Sequence, residues 1–480
     1  MLYSKSDFKR EHPLKSTAAS VSLRSECRRD YARLVHSPAF RRLQGKTQLF
    51  PGIESDFFRN RLTHSIEVAQ IAKSIAIRIN GTTYPGKTKK DKIDLDLVEF
   101  AALAHDLGHP PFGHNGELAL DHCMKDAGGF EGNAQTLRIL SKLEKKGEPI
   151  TPSSAPHSFD ERLGLNLTHR SLAAVLKYDN IIPIENIERT HPDSICKGYY
   201  ASEKNLVERL KKSVIGKSKY NGPFKTIECQ IMDLADDIAY STYDLEDALK
   251  AEFVSPMEIL ADTSNRDLME RIAKKVEQNV GTSFGETEAV YALLSLFIPA
   301  EFFEYDLIEK AIAGSEPPRH VAIAGAIMAI TAFDTSKMFS KNGYHRNRLT
   351  TTLVDGFIQG IECKWDPVAP AFSKVHFSKE ILPQVETLKH YTYEKLIASP
   401  RMKVAEFRGY EIVSELFKTL HSKGASLLPD DFKEWHNATP NEVEKKRVIC
   451  DFIAGMTDRY AIEFYGRLHS ESPQTIFKPL

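Results

Sequence analysis

The chain has 480 residues, of which 41% are hydrophobic and 27% are charged, and its formal net charge at pH 7 is -1. A chain of this length can bury a large core, and the composition is that of an ordinary globular protein. The near-neutral balance excludes a global attraction to nucleic acid, so any such binding would need a local basic patch.

The cysteines and the amino terminus indicate where the protein works. Six cysteines are scattered along the chain without a C-x-x-C pair, which favours reduced thiols over a disulfide framework. The first residues lack an apolar signal core, and no run approaches the length of a membrane span. We therefore expect a cytoplasmic protein without a membrane segment.

In chain order, the first half begins with a polar arm over 1–20 and a helix over 21–45. The arginines of this helix form a basic face, which is either solvated or directed at phosphate. Cationic, turn-rich residues at 80–92 predict an exposed loop. Apolar periodicity predicts further helices, which begin near His64 and at Asp94 and cover 114–125, 133–145, 168–178, 203–214 and 224–250.

Beyond residue 250 the pattern remains helical. The predicted helices cover 255–278, 284–313, 318–339, 347–362, 378–398, 402–421 and 440–468. Strand signals are sparse, so the predicted fold class is mainly α. We divide the chain into an amino-terminal core with its arm, 1–250, and a helical region packed on that core, 251–480, with a soft boundary between them.

The most informative stretch runs from Phe100 to Glu117, with the sequence FAALAHDLGHPPFGHNGE. Asp94 can cap a helix that enters this stretch, and Gly108 can end the helix in a left-handed conformation. His105 and Asp106 then lie in the last turn. These adjacent side chains could share one ion only if other segments supply further ligands.

Two other predicted helices offer such ligands. His64 lies in the first turn of one, and the helix over 224–250 carries several acids, among which the residues alone do not decide. Two imidazoles and two carboxylates make a mixed nitrogen and oxygen site that suits Mn, Fe, Co, Ni or Mg.

Six motifs, taken in order, resemble the HD-domain deoxyguanosine triphosphate triphosphohydrolases, and they span about residues 25 to 250. The motifs are FRRLQGKTQ ending at Gln48, RLTHS from Arg61, HDLGHPPFGHNGE from His105, FEGNAQ from Phe130, LAAVLKY ending at Tyr178 and ADDIAY ending at Tyr240. The resemblance implies an HD-domain helical fold with additional C-terminal helices. It also implies metal-dependent hydrolysis of a deoxynucleoside triphosphate, dGTP foremost, to deoxynucleoside and inorganic triphosphate.

The resemblance also assigns the metal ligands and the catalytic pair. The ligands would be His64, His105, Asp106 and the acid of an Asp-x3-Tyr-x3-Asp stripe, which selects Asp236 over its rival Asp237. The resemblance makes His114 and Glu117 the catalytic pair. Their spacing of three on a helix would let the carboxylate orient the imidazole as a proton donor.

The implied substrate contacts lie in several motifs. The resemblance places Gln48 against sugar or base, Tyr240 under the deoxyribose and Asp244 at the 3′-hydroxyl. It also makes Lys177 and Tyr178 contacts of the triphosphate. From position alone, Arg61 shares a face with His64 and could contact phosphate or ribose, and His109, in the turn before His114, could donate to a phosphate. The family also suggests a homo-oligomer, often a hexamer.

Two alternatives remain open from the sequence. One is an HD phosphohydrolase that acts on another nucleotide. The other is a regulator that senses nucleotides or binds single-stranded nucleic acid through the basic helix and the lysine-rich residues 87–92. Such binding could also coexist with catalysis.

Overall fold

Helices dominate the computed structural model and confirm the predicted mainly α class. The structure describes residues 1–12, 24–49, 58–83, 91–146, 162–189, 194–218, 220–251, 253–296, 342–397 and 400–469, together with 333 and 337. Most of the predicted helices over 284–313 and 318–339 lies outside these residues, as does most of the cationic loop at 80–92.

The helices up to residue 250 are α1 (Glu26–Val35), α2 (Pro38–Arg42), α3 (Arg61–Thr82), α4 (Leu95–Ala104), α5 (Gly113–Cys123), α6 (Gly132–Arg138), α7 (His169–Ala174), α8 (Lys204–Ile215) and α9 (Ile227–Lys250). Strands β1 (Ile181–Ile182) and β2 (Tyr199–Tyr200) pair in parallel, with Ile181 opposite Tyr199.

The later helices are α10 (Pro256–Asp262), α11 (Arg266–Val280), α12 (Glu286–Leu294), α13 (Gly343–Gln359), α14 (Leu382–Thr392), α15 (Pro400–Lys423), α16 (Asp430–Ala438), α17 (Glu442–Ala454) and α18 (Asp458–His469). Two short strands, β3 (Ile361–Lys364) and β4 (Lys374–Phe377), also lie in this part of the chain, and several single-turn 3-10 and π helices connect the elements of the described residues.

The chain divides into two compact units. The first comprises Met1–Ala235, Cys363–Val375 and Val404–Leu480, and the second comprises Asp236–Glu362 and His376–Lys403. Each unit therefore combines separate stretches of sequence, whereas the predicted segments 1–250 and 251–480 are contiguous. The boundary at 250 stays a prediction.

Helix α4 lies at the centre of the first unit. It packs against α1, α3 and α7, and its residues from Leu97 to Ala104 are buried except Glu99. A helix that is apolar on nearly all sides belongs in a core. Asp94 caps it by accepting a hydrogen bond from the Leu97 N–H at 3.1 Å, which confirms the predicted start.

A second apolar cluster of the same unit fixes helix α5. Leu120 and Phe130, from α5 and the turn that follows it, pack with Leu416 of α15 and Ile449 and Ile453 of α17. In the second unit, α11, α12 and α14 pack against one another. The C-terminal helices of the first unit thus support the helix that carries His114 and Glu117.

The basic helix over 21–45 is divided in the structure between α1 and α2, and its arginines contact protein groups. Arg28 pairs with Asp96 at 3.1 Å, and Arg29 pairs with Glu26 at 3.2 Å. Arg33 donates hydrogen bonds to the carbonyl oxygen of Leu165. These contacts favour a structural role for this face over a phosphate-facing one.

Candidate active site

Three buried side chains converge where α3 begins and α4 ends. His64 lies in the first turn of α3, as predicted. His105 and Asp106 directly follow α4, one and two residues beyond the last turn in which they were predicted. One potential ligand atom from each of the three lies within 4.8 Å of those of the others. Two imidazole nitrogens and a carboxylate oxygen at this separation fit a divalent cation of the Mn, Fe, Co, Ni or Mg type.

The hydrogen bonding of His105 supports this fit. Its Nδ1 lies 2.6 Å from the carbonyl oxygen of Ala102, so we assign the ring proton to Nδ1. The Nε2 atom is then the one available as a ligand. An imidazole held by a backbone carbonyl in this way is the usual support for a metal-binding histidine.

Asp106 is surrounded by positive or protonatable groups. Its Oδ2 lies 2.7 Å from Nη1 of Arg61, and its Oδ1 lies 3.0 Å from Nδ1 of His109 and 3.4 Å from Nε2 of His105. Burial alone would raise the pKa of this carboxyl, but His105, Arg61 and His109 together hold it well below its usual range. Asp106 is therefore an anion, as a metal ligand must be.

A second cluster lies on α5. His114 Nδ1 is 2.9 Å from Glu117 Oε2, and His109 completes a group whose potential ligand atoms lie within 4.8 Å of one another. The His114 side chain is 76% exposed, whereas the Glu117 side chain is only 7% exposed. The exposed imidazole is held by a buried carboxylate, which suits a group that meets substrate.

Glu117 remains ionised despite its burial. Burial raises the pKa of its carboxyl, but the hydrogen bond and charge of His114, the charge of His109 and a hydrogen bond from the Gly132 N–H at 2.7 Å outweigh it and lower the pKa to about 2. An anion at this place accepts the Nδ1 hydrogen of His114 and fixes the orientation of the ring.

Gly108 lies between the two clusters in sequence and makes a close contact with α6. The prediction that it ends the helix in a left-handed conformation was wrong. The backbone φ of Gly108 is not positive. A Cβ atom at this position would instead lie 2.0 Å from the carbonyl oxygen of Gly132 and 2.4 Å from the backbone nitrogen of Thr136. Glycine is needed for close backbone approach, not for its backbone conformation.

Comparison with known proteins agrees with this geometry. Residues 61–241 match the family model described as HD domain, and residues 375–467 match the one described as phosphohydrolase-associated domain. The chain is 45% identical, over the full length of both, to the deoxyguanosinetriphosphate triphosphohydrolase-like protein 2 of Mesorhizobium japonicum. The chain belongs to the HD-domain family of deoxyguanosinetriphosphate triphosphohydrolase-like proteins.

More distant members of this family also align over most of the chain. A deoxyguanosinetriphosphate triphosphohydrolase-like protein of Aliivibrio fischeri is 33% identical over 93% of each chain. One from Shewanella sediminis is 31% identical over 95% of this chain and 93% of the relative. The family makes this chain a member of a phosphohydrolase class whose HD domains bind divalent metal ions.

The acids of α9 belong to the second unit from Asp236 onward, and the structure describes them there. Asp237, the alternative to Asp236 as a metal ligand, forms an ion pair with Lys389 at 3.2 Å. Tyr240 is half-buried and Asp244 is buried, and burial followed by the charge of Asp244 raises the pKa of the Tyr240 hydroxyl. Asp236 remains the predicted fourth ligand of this family member.

Other predicted contacts lie elsewhere in the first unit. The Oε1 atom of Gln48 is buried and accepts no hydrogen bond from the described residues. Lys177 pairs with Asp233 at 2.5 Å, and the Tyr178 hydroxyl lies 3.3 Å from Nζ of Lys197. Their contacts with substrate stay predictions.

Three residues around the site were missed as individuals by the sequence analysis. Lys46 and Glu131 occur within two of the motifs given above, but the sequence of those motifs indicated no role for either residue. Asp458 lies in the C-terminal half, where no motif was recognised. Burial of a charged side chain identifies Lys46 and Glu131, whereas Asp458 is only half-buried and is identified by the hydrogen bonds that it accepts from Thr47 and Phe112.

No helix among the described residues is both long enough and apolar enough to cross a membrane.

Proposed function

We propose that this protein hydrolyses a deoxynucleoside triphosphate, with dGTP as the expected substrate, to deoxynucleoside and inorganic triphosphate. The family supplies the phosphohydrolase class, and the names of its relatives supply the substrate that we carry over. The bond that breaks joins the α-phosphorus to the 5′-oxygen of the sugar, and water supplies the oxygen that phosphorus gains.

The observation that carries this proposal is that the cluster suited to a cation, His64, His105 and Asp106, lies next to the His114–Glu117 pair. His109 lies between them, 3.0 Å from Asp106 on one side and with its ring centroid 5.5 Å from that of His114 on the other. A phosphate held at the first cluster would therefore be near an exposed imidazole. This arrangement suits cleavage of a phosphate ester with protonation of the leaving oxygen.

His64, His105 and Asp106 would hold the divalent cation, with Asp236 as the proposed fourth ligand. A cation bound there would acidify water and offset negative charge that develops on phosphoryl oxygens. Mn, Mg, Co, Ni and Fe all accept this donor set, so the metal identity is left to measurement.

His114 would donate the proton that the leaving 5′-oxygen requires. A deoxynucleoside alkoxide is a poor leaving group, and a positioned acid contributes about 10²- to 10⁴-fold to such a step. Glu117 would hold the imidazole ring through Nδ1, which leaves Nε2 to face the substrate. The exposure of His114 and the burial of Glu117 support this division of roles.

Arg61 and His109 would contact phosphate, since both lie against Asp106 at the junction of the clusters. The remaining proposed contacts rest on the family resemblance: Gln48 and Tyr240 with the deoxyribose or base, Asp244 with the 3′-hydroxyl, and Lys177 and Tyr178 with the triphosphate.

We also propose a homo-oligomer, with a hexamer as the family suggests, and a cytoplasmic location. All six cysteines are free thiols, which supports a reducing compartment. Single-stranded nucleic acid remains a proposed additional partner.

The test is a screen of the four deoxynucleoside triphosphates with each candidate metal, in which the released phosphate species are separated. GTP and dGMP are included to test the other nucleotide classes. The native protein is compared with His114→Ala and Asp236→Ala. We expect His114→Ala to keep bound metal and lose turnover, whereas Asp236→Ala should lose both.

Release of pyrophosphate or single phosphate, or a preference for dGMP or GTP, would replace this function by another HD phosphohydrolase activity. Salt-dependent binding of single-stranded nucleic acid by a protein that turns over none of these nucleotides would instead indicate a regulator.

A further inference from the structure

The loop between His109 and α5 has an unusual backbone. Phe112 has φ of 63° and the next residue, Gly113, has φ of 59°. Glycine adopts this left-handed conformation without cost, but for a bulky residue it costs on the order of 1–3 kcal/mol. Such a conformation persists only where the surroundings hold it, and His114 follows directly.

One carboxylate from the C-terminal helices holds the strained residue. Oδ1 of Asp458, the first residue of α18, accepts a hydrogen bond from the Phe112 N–H at 3.0 Å. Oδ2 of the same carboxylate accepts hydrogen bonds from the Thr47 N–H at 2.9 Å and from the Thr47 hydroxyl. Asp458 thus joins the His114 loop to the segment that carries Gln48.

A buried ammonium group holds the other end of the loop. Nζ of Lys46 donates hydrogen bonds to the carbonyl oxygens of His109, at 2.5 Å, and Ala454, at 3.0 Å. Its side chain is almost fully buried, and burial lowers the pKa of its amine to about 7. The Lys46 carbonyl oxygen in turn accepts a hydrogen bond from the Arg61 N–H at the start of α3.

These contacts form one connected hydrogen-bond network. Lys46 binds the loop at His109 and Asp458 binds it at Phe112. Both contacts arise where residues 45–47 meet residues 454–458. The two segments approach closely, because a Cβ atom on Gly45 would lie 2.7 Å from Cγ2 of Thr457. Residues more than 400 positions apart therefore fix the same turn.

We propose that Lys46 and Asp458 are positioning residues, which hold the His109–Gly113 loop in the left-handed turn that directs His114 toward the substrate. The proposal rests on the proposed function for the role of His114. A rotation about the Phe112 backbone would displace the imidazole, and a displacement of about 1 Å can cost roughly 100-fold in rate. The C-terminal region that matches the phosphohydrolase-associated domain, residues 375–467, would then support the loop that carries His114.

The experiment compares Asp458→Asn and Lys46→Met with the native protein. Asn keeps one acceptor but cannot serve both Thr47 and Phe112, and Met keeps the length of the lysine stem without its donors. The matched control is Glu463→Gln on the same helix, where Glu463 pairs with Arg459 at 3.1 Å on the surface.

Five quantities are measured for each variant: kcat and KM for triphosphate release, bound metal per subunit, the unfolding temperature, and amide hydrogen exchange of peptides covering 107–118. We expect kcat to fall about 10- to 100-fold in both variants while KM changes less than about threefold. Metal content should be unchanged, and faster exchange should be confined to the loop. The control should match the native protein.

Native kcat and native exchange in Asp458→Asn would overturn the proposal. Loss of activity only in proportion to bound metal or folded fraction would also overturn it, because the role would then be general stability. Should Asp458→Asn or Lys46→Met fail to fold, Thr47→Val decides. It removes one hydroxyl donor and should still lower kcat and speed loop exchange, whereas Thr47→Ser should restore both.

A native protein that releases no triphosphate from any deoxynucleotide would refute the proposed function. The exchange measurement would still decide whether Lys46 and Asp458 fix the loop, so the two failures are distinguishable.

Discussion

Arg61 and Asp106 form a buried ion pair at the centre of the candidate site, with Nη1 and Oδ2 2.7 Å apart and both side chains 5% exposed. The pair joins the first residue of α3 to the doublet that follows α4. A buried pair is costly to break, since the remaining charge is left without compensation in a poorly solvated place. Asp106 therefore depends on nearby positive charge, whether from a guanidinium or from a metal ion.

We predict that Arg61→Ala lowers the free energy of unfolding of the metal-free protein by about 3–5 kcal/mol. A divalent cation should restore part of this loss, because it supplies the charge that the guanidinium provided. Thermal unfolding with and without metal is the measurement, and the rise in unfolding temperature on adding metal should be larger in the variant than in the native protein.

Arg59→Ala is the matched control, since Arg59 pairs with Glu67 at 2.8 Å and lies only two positions from Arg61. It should show the native response to metal. An equal metal response in Arg61→Ala and the native protein would contradict the role given to the ion pair.

The His114–Glu117 pair predicts a separation between metal binding and turnover. Glu117→Gln should lower kcat about 10- to 100-fold and leave metal content unchanged, because Gln cannot hold a protonated imidazole as a carboxylate does. His114→Ala should lower kcat further. Since the pKa of Glu117 is about 2, its own titration should leave no limb in the kcat profile above pH 4. Metal analysis and a pH–rate series check both statements.

The sequence was sufficient for the parts of the site that depend on local spacing. The separation of three between His114 and Glu117 placed both on one helix face, and the Asp94 cap and the apolar run after it located the start of α4. His64 was placed in a first turn by the same reasoning. Spacing along one helix is a local property, and it survives folding without change.

The remaining features depend on contacts between distant segments. Gly108 suited a helix end, but its requirement comes from the backbone of α6, which no local pattern shows. The contacts of Lys46 with Ala454 and of Asp458 with Phe112 join opposite ends of the chain. Their existence follows from the packing of α5 against the C-terminal helices, and a single sequence gives no measure of that packing.

Two glycines provide a direct test of the close approach at Gly108. Gly108→Ala should destabilise the protein by about 3 kcal/mol, because its methyl group would overlap the backbone of α6. It should also lower both metal binding and turnover, since His105 and His109 flank the contact. Gly81→Ala, in the last turn of α3, should stabilise the protein by roughly 0.5 kcal/mol, because no described atom lies within 4 Å of the place its methyl group would take. Chemical denaturation of both variants is the measurement, and similar effects at the two positions would contradict the packing argument.

The buried carboxyl group of Glu131 should make the stability of the protein depend on pH. Burial, together with the charge of Glu117, raises the pKa of its carboxyl to about 7, against an ordinary value of 4.5. A group whose pKa is raised by folding stabilises the native state fully below pH 4.5, and this contribution is lost as the pH rises through 7. Glu131→Gln is neutral at every pH and keeps an acceptor for the Ala134 N–H, which Glu131 now caps at 2.8 Å.

The free energy of unfolding of Glu131→Gln relative to the native protein should therefore increase between pH 4.5 and 8, by on the order of 3 kcal/mol. Denaturant titrations at a series of pH values provide the measurement. The same comparison in a Glu117→Gln background should give a smaller increase, since one of the two causes of the raised pKa has been removed, while burial keeps the direction unchanged. A difference that is flat with pH would show that the Glu131 carboxyl is solvated in the native state, and an equal slope in both backgrounds would show that Glu117 does not act on it.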